Sequence, residues 1–393
     1  MRSSLKDAGD DWHVWTHWYD VRLHGGPAHP KLSTVANQRI ELARLTGEYD
    51  GETIFEEKDW KNPARINGAI RSVIEAERSR ARVSTAKALH EHYEDNPSRS
   101  KPFIEDDRLG LAFEGSEDDL AAAQSLLQRG RVQATLEKLE HLQTLAESRD
   151  LTPAWDRLKS TTSQLKVWLA SDAQSLAAQC EIGWERSVTL ATMITLNEDL
   201  KDEGPGTNDS PLPATVFAAL KDANLSVTAL VLEFPSCSQI DQLLSREDVA
   251  AQLLQIAGIL LERMNEANIL HRETLDILRE AIKSGAFQTN DGRRSAGFGK
   301  AGVSKLTLAI YMTLASMGGA TFSGTLGEVG AEAARSSHVL TGMGKFAGES
   351  VDDVVGLFAD APDNVREAVK FLAEDSREPG GGSVPLPEDR PDR

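Results

Sequence analysis

The chain has 393 residues, of which 40% are hydrophobic and 26% charged, enough to bury a sizeable core in two or three domains. Its net charge of −18 excludes a general electrostatic attraction for DNA or RNA, because the phosphates of nucleic acids attract Lys and Arg side chains. The two cysteines, Cys180 and Cys237, are too few for a disulfide framework or a cysteine zinc site, and the first residues lack the apolar core of a signal peptide. We therefore expect a cytoplasmic protein that binds no nucleic acid.

Residues 1–95 are predicted to form a tryptophan-rich helical module, because four of the seven tryptophans fall there. In "WHVWTHWYDVRLHG", a helical period places apolar side chains on two opposite faces. Such a helix is either deeply buried, with its aromatics building a small core, or sandwiched between its own domain and a partner. Large aromatic residues and arginine are common interface anchors. The candidate interaction residues are Trp12, Trp15, Trp18, Tyr19 and Arg22.

One edge of the same predicted helix carries His13, His17, Asp20 and His24, spaced four, three and four residues apart. Two histidines one turn apart, with a carboxylate nearby, are how helical zinc sites are built. No glutamate is placed as a general base, however, and the H-E-x-x-H pattern is absent. A solvated face that happens to hold histidines is the simpler interpretation, and we expect no metal and no other cofactor.

The middle of the chain is predicted to be helical. Residues 96–118 contain prolines and polar residues typical of a linker, with a short extended piece at 109–113. Residues 119–284 form the predicted central helical region, in which the segment 226–234 is equally compatible with a strand or a helix. An amphipathic stripe of period near 3.6 in this region predicts core positions: Trp155, Leu158, Leu165, Leu169, Ala173, Leu176, Cys180 and Trp184.

The C-terminal part is predicted to contain a glycine-rich basic loop (285–305), a helical region (306–375) and a disordered tail (376–393). No charge interrupts residues 306–326, which are long enough to span a bilayer. Basic residues precede this stretch and acids follow it, as at a cytoplasmic flank. A central helix of a soluble bundle is equally apolar on all sides, so both interpretations stay open.

Small residues recur every four positions along this apolar stretch, which predicts close contact between helices in either environment. This predicted helix-packing or membrane stripe comprises Ala315, Gly319, Ser323, Gly327 and Ala331.

The N-terminal motifs resemble an uncharacterised family of mainly proteobacterial proteins that carry W-x-x-W-Y-x-x-R-L-x-G, followed by W-x-x-x-P-x-x-x-N-x-x-I. Trp15, Trp18, Tyr19, Arg22, Leu23 and Gly25 fill the first motif, and Trp60, Asn67 and Ile70 fit the second loosely. The resemblance covers about 65 residues and implies no activity, because none is known for that family. The first motif does not call for His13 or His17, which argues further against a metal site.

These patterns predict a mostly α protein: helical bundles with an N-terminal Trp-rich helical module and a C-terminal apolar helix rich in small residues. We expect a non-enzymatic interaction or assembly protein, in which residues 306–335 either dock it to the cytoplasmic face of an inner membrane or join copies into a homo-oligomer. Its partner would be another protein or itself, and no small-molecule substrate is indicated. The alternatives are a membrane-acting effector with a conditionally inserted segment, and a metal-dependent enzyme that uses the histidine stripe.

Overall fold

The computed structural model describes residues 32–375, with gaps at 97–99, 113–114, 150–154, 203–209, 247, 287–288 and 318–324, together with Leu23, Pro27 and His29. The described part of the chain is mostly helical, with sixteen α-helices and two small antiparallel sheets of two strands each. The predicted mostly α fold class is therefore confirmed.

The N-terminal part of the fold contains two helices and a tight hairpin. In order, these elements are α1 (Thr34–Thr46), β1 (Glu48–Tyr49), β2 (Glu52–Thr53), a 3-10 turn (Glu57–Lys61) and the long α2 (Pro63–Glu94). The Ser33 hydroxyl caps α1 by accepting from the Ala36 amide at 3.1 Å. Gly47 ends α1 at φ 72°, and a Cβ there would lie 2.3 Å from the Phe55 carbonyl oxygen, so only glycine fits this turn.

A second hairpin, β3 (Lys101–Glu105) and β4 (Arg108–Ala112), lies inside the predicted linker. Its strand β4 corresponds to the extended piece predicted at 109–113, but the hairpin is held by the fold and does not act as a free connection. The Leu109 amide donates to the Ile269 carbonyl at 2.6 Å, and the His271 amide donates to the Leu109 carbonyl at 2.8 Å. The prediction of a linker over 96–118 missed this pairing because Ile269 and His271 lie more than 150 positions away in sequence.

The remaining helices form one large bundle. They are α3 (Glu117–Gln128), α4 (Arg131–Glu147), α5 (Asp156–Leu169), α6 (Ala173–Ala178), α7 (Cys180–Asp202), α8 (Ala214–Val231), α9 (Pro235–Leu244), α10 (Ala251–Glu266), α11 (Arg272–Gly285), α12 (Asn290–Met317), α13 (Thr325–Ala333), α14 (Ser337–Glu349), α15 (Val351–Leu357) and α16 (Asp363–Asp375). The ambiguous segment 226–234 is helical through Val231.

Helices α7 and α12 lie at the centre of this bundle and contact each other as well as most of the surrounding helices. The stripe predicted from Trp155 to Trp184 does face the core: all its members are buried except Ala173, which is partly buried. The stripe is divided among three helices, because the Asp172 carboxylate accepts from the Ser175 amide at 2.8 Å and starts a new helix there.

The glycine-rich segment 285–305 was predicted to be a loop, and from residue 290 onward that prediction is wrong. Helix α12 begins at Asn290 and continues through the glycines without interruption. These glycines are places of close packing: a Cβ on Gly302 would lie 2.3 Å from Leu278 Cδ2, and one on Gly285 would lie 2.8 Å from Ala296. Their small size lets α11 and α12 approach each other, which offsets their low helix propensity.

The apolar stretch 306–326 was predicted to be a single helix. In the described residues it belongs to two, because α12 ends at Met317 and α13 begins at Thr325. Within the part of the chain that the structure describes, one helix is long and apolar enough to span a bilayer, and it is α8, elsewhere in the bundle. Core helices of soluble proteins often have the same length and composition, so this is weak support for a membrane span.

Candidate functional site

The predicted aromatic interaction residues and the histidine stripe lie outside the described residues: Trp12, His13, Trp15, His17, Trp18, Tyr19, Asp20, Arg22 and His24. Both features therefore stay predictions. From the second motif of the family resemblance, Asn67 and Ile70 are buried in α2. Among the residues that the structure does describe, no group of three or more His, Cys, Asp or Glu side chains could hold a metal ion.

The predicted small-residue stripe does not lie on one helix. Ala315 belongs to α12, whereas Gly327 and Ala331 belong to α13; Gly319 and Ser323 fall outside the described residues. Ala315 is buried, but Ala331 is exposed, so the prediction of one continuous packing stripe is wrong. The contact between α12 and α13 is made at Gly330 instead, where a Cβ would lie 3.1 Å from the Ser316 hydroxyl.

The first half of the apolar stretch is covered by the chain itself. From Leu306 to Thr313 every side chain is buried, as is Ala315. The Tyr311 hydroxyl donates to the Ala347 carbonyl on α14 at 3.1 Å, which fixes the middle of α12 against its neighbour. No membrane and no second copy is needed to shield these residues from water.

A different apolar surface is exposed, on α1. Val35, Leu42 and Leu45 lie on one side of this helix and are 58%, 59% and 59% exposed. The opposite side packs Ala36, Ile40 and Ala43 against α2 and the first hairpin. Because α1 is apolar on two opposite sides and only one is covered, its outer face is a candidate surface for protein contact.

A buried carboxylate holds α1 in place. Glu77 on α2 is 1% exposed, and its Oε1 accepts from the Tyr49 hydroxyl at 2.7 Å and pairs with Arg80 Nη1 at 3.0 Å. Its Oε2 pairs with Arg39 Nη2 at 3.0 Å. Burial and the hydrogen bond to Glu77 raise the pKa of Tyr49 to about 12. The first hairpin, α1 and α2 are thus tied together at one charged centre, which we call the Glu77 clamp (Arg39, Tyr49, Glu77 and Arg80).

A second charged cluster lies in the large bundle, between α5, α7 and α11, with two buried and two partly buried members. Arg157 pairs with Glu280, donates to the Ser284 hydroxyl, and donates to the Glu280 carbonyl at 3.1 Å. Next to it, Glu185 accepts from the Thr189 hydroxyl at 2.9 Å. Burial lowers the pKa of Arg157 to about 10, and the nearby Glu185 charge partly opposes that shift.

The fourth charge of this cluster, Arg186, is 4% exposed, and its Nη1 lies 3.3 Å from Glu185 Oε2. That is its one ion pair within the described residues, and its Nε donates no hydrogen bond there. We call Arg157, Glu185, Arg186 and Glu280 the interior charge cluster. The formal charges of this cluster cancel, but the Arg186 guanidinium has few partners among the described residues.

Arg186 lines a cleft of about 450 Å³ between α5, α7 and the start of α11. The cleft has apolar side chains from Val167, Trp168, Ile182 and Ile277. The Trp168 ring lies against the backbone of α7 at Gly183, where a Cβ would be 2.5 Å from the ring. A buried cation beside apolar walls is a typical arrangement for a small-ligand site.

No protein-family model, curated protein or solved structure matches this chain. The candidate sites therefore stand on the geometry alone.

Another buried charge, Lys305, lies on α12. Its ammonium is 4.7 Å from the centre of the Tyr93 ring, and burial lowers its pKa to about 8, against the opposing pull of Glu181 and Glu94. Sequence reasoning treated Lys305 only as a basic residue before the apolar stretch. Its position three residues after Gly302 on a helix with mostly small and apolar side chains was a signal that it is buried.

The interior charge cluster was also missed by sequence reasoning. In "CEIGWERSVTLATMITL" the adjacent Glu185 and Arg186 interrupt a run of small and apolar residues, which was the available signal. Their partners Arg157 and Glu280 lie on other helices, so the cluster could not be assembled without the fold.

Proposed function

We propose that this is a non-enzymatic, cytoplasmic interaction protein that self-associates through the outer face of α1. The observation that carries the proposal is the exposure of Val35, Leu42 and Leu45 on one side of a helix whose other side is fully packed. When a partner covers exposed aliphatic residues grouped on one face, the complex is stabilised by about 25 cal/mol per Å² of buried apolar surface.

A second copy of the chain is the partner that this surface fits best. In a two-fold dimer the same patch meets itself, which suits the three aliphatic side chains of this face; the exposed, uncharged Gln38 lies among them. Arg39 lies between Val35 and Leu42 on this side of the helix, and its charge is neutralised by Glu77 at 3.0 Å. The apolar residues 306–315 do not support self-association, because the chain's own helices cover them.

Sedimentation analysis over a wide concentration range tests the proposal. Wild type should show a concentration-dependent dimer or higher oligomer, and the triple variant Val35→Ser, Leu42→Ser, Leu45→Ser should remain monomeric. The matched control carries Val167→Ser and Leu225→Ser, which alter exposed aliphatic side chains on α5 and α8 and should leave association unchanged. A wild-type protein that is monomeric at the highest concentration would contradict self-association through α1.

A membrane-acting role is the second candidate function. It is favoured by α8, whose length and composition suit a bilayer, and by the apolar core helix α12, which could be released only if the bundle opened. Dye release from anionic lipid vesicles tests this role at neutral and acidic pH. Release that is abolished by a charge placed in α8, such as Val227→Asp, would favour it; intact vesicles under both conditions would remove it.

A metal-dependent enzyme that uses His13, His17, Asp20 and His24 is the remaining alternative, and it rests on the sequence pattern alone. Elemental analysis of untagged protein, purified without a nickel column, should find less than one metal ion per chain. One tightly bound zinc that is lost in the variant His13→Ala, His17→Ala would overturn this expectation.

A further inference from the structure

The cleft beside the interior charge cluster has the features of a ligand site that is separate from the proposed contact surface on α1. Its volume of about 450 Å³ falls within the range of small-molecule pockets, roughly 300–1,000 Å³. It lies between helices of a bundle, which is a common location for such sites. We infer that this cleft binds a small organic monocarboxylate with an apolar body, whose carboxylate is held by Arg186.

The argument starts from the cost of burying Arg186. A guanidinium has five N–H donors, and a buried charge is unfavourable unless it is paired and hydrogen-bonded. Arg186 has a single ion pair among the described residues, at 3.3 Å, with the carboxylate of the preceding residue. Glu185 accepts from Thr189 through Oε1, and its Oε2, the oxygen nearest Arg186, accepts no hydrogen bond, so the 3.3 Å pair uses none of the guanidinium donors in a hydrogen bond. Arg186 therefore keeps donor capacity beside the cleft.

The planar guanidinium fork matches the geometry of a carboxylate, which can accept two parallel hydrogen bonds from it. The walls of the cleft select the rest of the ligand. Trp168 and Ile277 are buried side chains on two different helices, and Ile182 is half-buried between them. These groups fit an aromatic ring or a short aliphatic chain that lies between α5 and α11.

The charges around the cleft argue for a single negative charge on the ligand. The interior charge cluster is already balanced, with two arginines and two glutamates. At the rim, exposed Glu273 and Asp276 outnumber the exposed Arg272. A dianion such as phosphate would be repelled by these carboxylates and would leave the apolar walls uncovered.

The experiment uses the full-length protein with benzoate, octanoate, benzamide and inorganic phosphate as probes. Isothermal titration and saturation-transfer NMR measure binding. We expect one molecule of benzoate or octanoate per chain, with benzamide, the uncharged analogue, at least about tenfold weaker. Phosphate should bind more weakly than either carboxylate.

Two variants locate the site. Arg186→Lys keeps the positive charge beside Glu185 but loses the planar fork, so benzoate binding should weaken by about tenfold or more. Arg279→Lys is the matched control, because Arg279 lies on the same helix α11 that borders the cleft but pairs with Glu262 outside it. Should Arg186→Lys fail to fold by circular dichroism, Ser163→Trp gives a second test, since it places a bulky ring at the exposed mouth of the cleft.

Specific outcomes would overturn the inference. These are the absence of benzoate and octanoate binding at concentrations up to about 10 mM, or equal binding to wild type and to whichever of Arg186→Lys and Ser163→Trp is folded. Benzamide binding as tightly as benzoate would show that the carboxylate is not recognised. Phosphate binding as tightly as benzoate would show that the apolar walls contribute nothing.

Discussion

The N-terminal part of the fold and the large bundle are stabilised in different ways. Around α1 and the start of α2, the buried apolar residues form two small clusters: Leu32, Ala36, Ile40, Ala43 and Val73, and separately Phe55, Ile66 and Ile70. From the end of α2 to α16, a single core runs through every helix. A small core contributes little hydrophobic free energy, so the N-terminal part depends more on its polar clamp and on whatever covers its outer face.

The two regions also handle buried charge differently. In the N-terminal part, Glu77 has three polar partners and joins three elements, so its charge is structural. In the large bundle, Arg186 is buried with one ion pair among the described residues, and the free energy of the large surrounding core offsets the cost of burying it. A charged residue that is retained without full pairing inside a large core points to a function, whereas a fully paired one in a small core points to stability.

The largest expected effect is in the large core. Trp184→Ala removes a ring that is almost fully buried and whose indole N–H donates to Asp241 at 3.1 Å. We expect the unfolding free energy of the bundle to fall by about 3–5 kcal/mol, measured by urea denaturation. Val167→Ala, at a side chain 73% exposed, is the control and should change it little. A change below about 1 kcal/mol for Trp184→Ala would show that the core is not continuous there.

The next effect depends on pH and tests whether the large core carries an unfavourable charge. The pKa of Lys305 is lowered from 10.5 to about 8 in the fold, so the unfolded chain binds more protons between these values. Stability from this residue should therefore rise as pH increases from about 8 to about 10.5, by up to about 3 kcal/mol. Urea denaturation across this range should show the rise in wild type and lack it in Lys305→Met. The same rise in both proteins would assign it to other groups.

A smaller effect is expected at the Glu77 clamp. Glu77→Ala leaves Arg39 and Arg80, each 44% exposed, without their shared partner, and we expect a loss of about 1–3 kcal/mol. Hydrogen exchange resolved by peptide should show faster exchange in α1 and the first half of α2, with α7 and α12 unchanged. The control is Glu75→Ala, which removes an exposed glutamate two residues before Glu77 on α2. Equal loss of protection throughout the protein would show that the two regions unfold as one unit.

Some of these features could be predicted from the sequence, and others could not. The stripe from Trp155 to Trp184 predicted core positions correctly, because burial on a helix follows its own local period. The predicted loop was wrong from residue 290 onward, because glycine disfavours helix by propensity but serves close packing at Gly302, where only the position of Leu278 decides which effect prevails. The interior charge cluster joins residues more than 90 positions apart, and no local pattern reports that contact.

The smallest expected effect on stability decides what the outer face of α1 is for. Leu42 and Leu45 are each 59% exposed, so Leu42→Ser with Leu45→Ser should change the unfolding free energy by no more than about 0.5 kcal/mol at a concentration where the chain is monomeric. The same double variant should weaken self-association, because side chains that are exposed in one chain lose apolar contact only when a second chain covers them. Calorimetry at low concentration and sedimentation at high concentration separate these effects. If the unfolding free energy of the monomer fell by more than about 1 kcal/mol, this chain itself would cover the outer face of α1. The N-terminal part would then be as fully packed as the large bundle, and the contrast between the two regions would disappear.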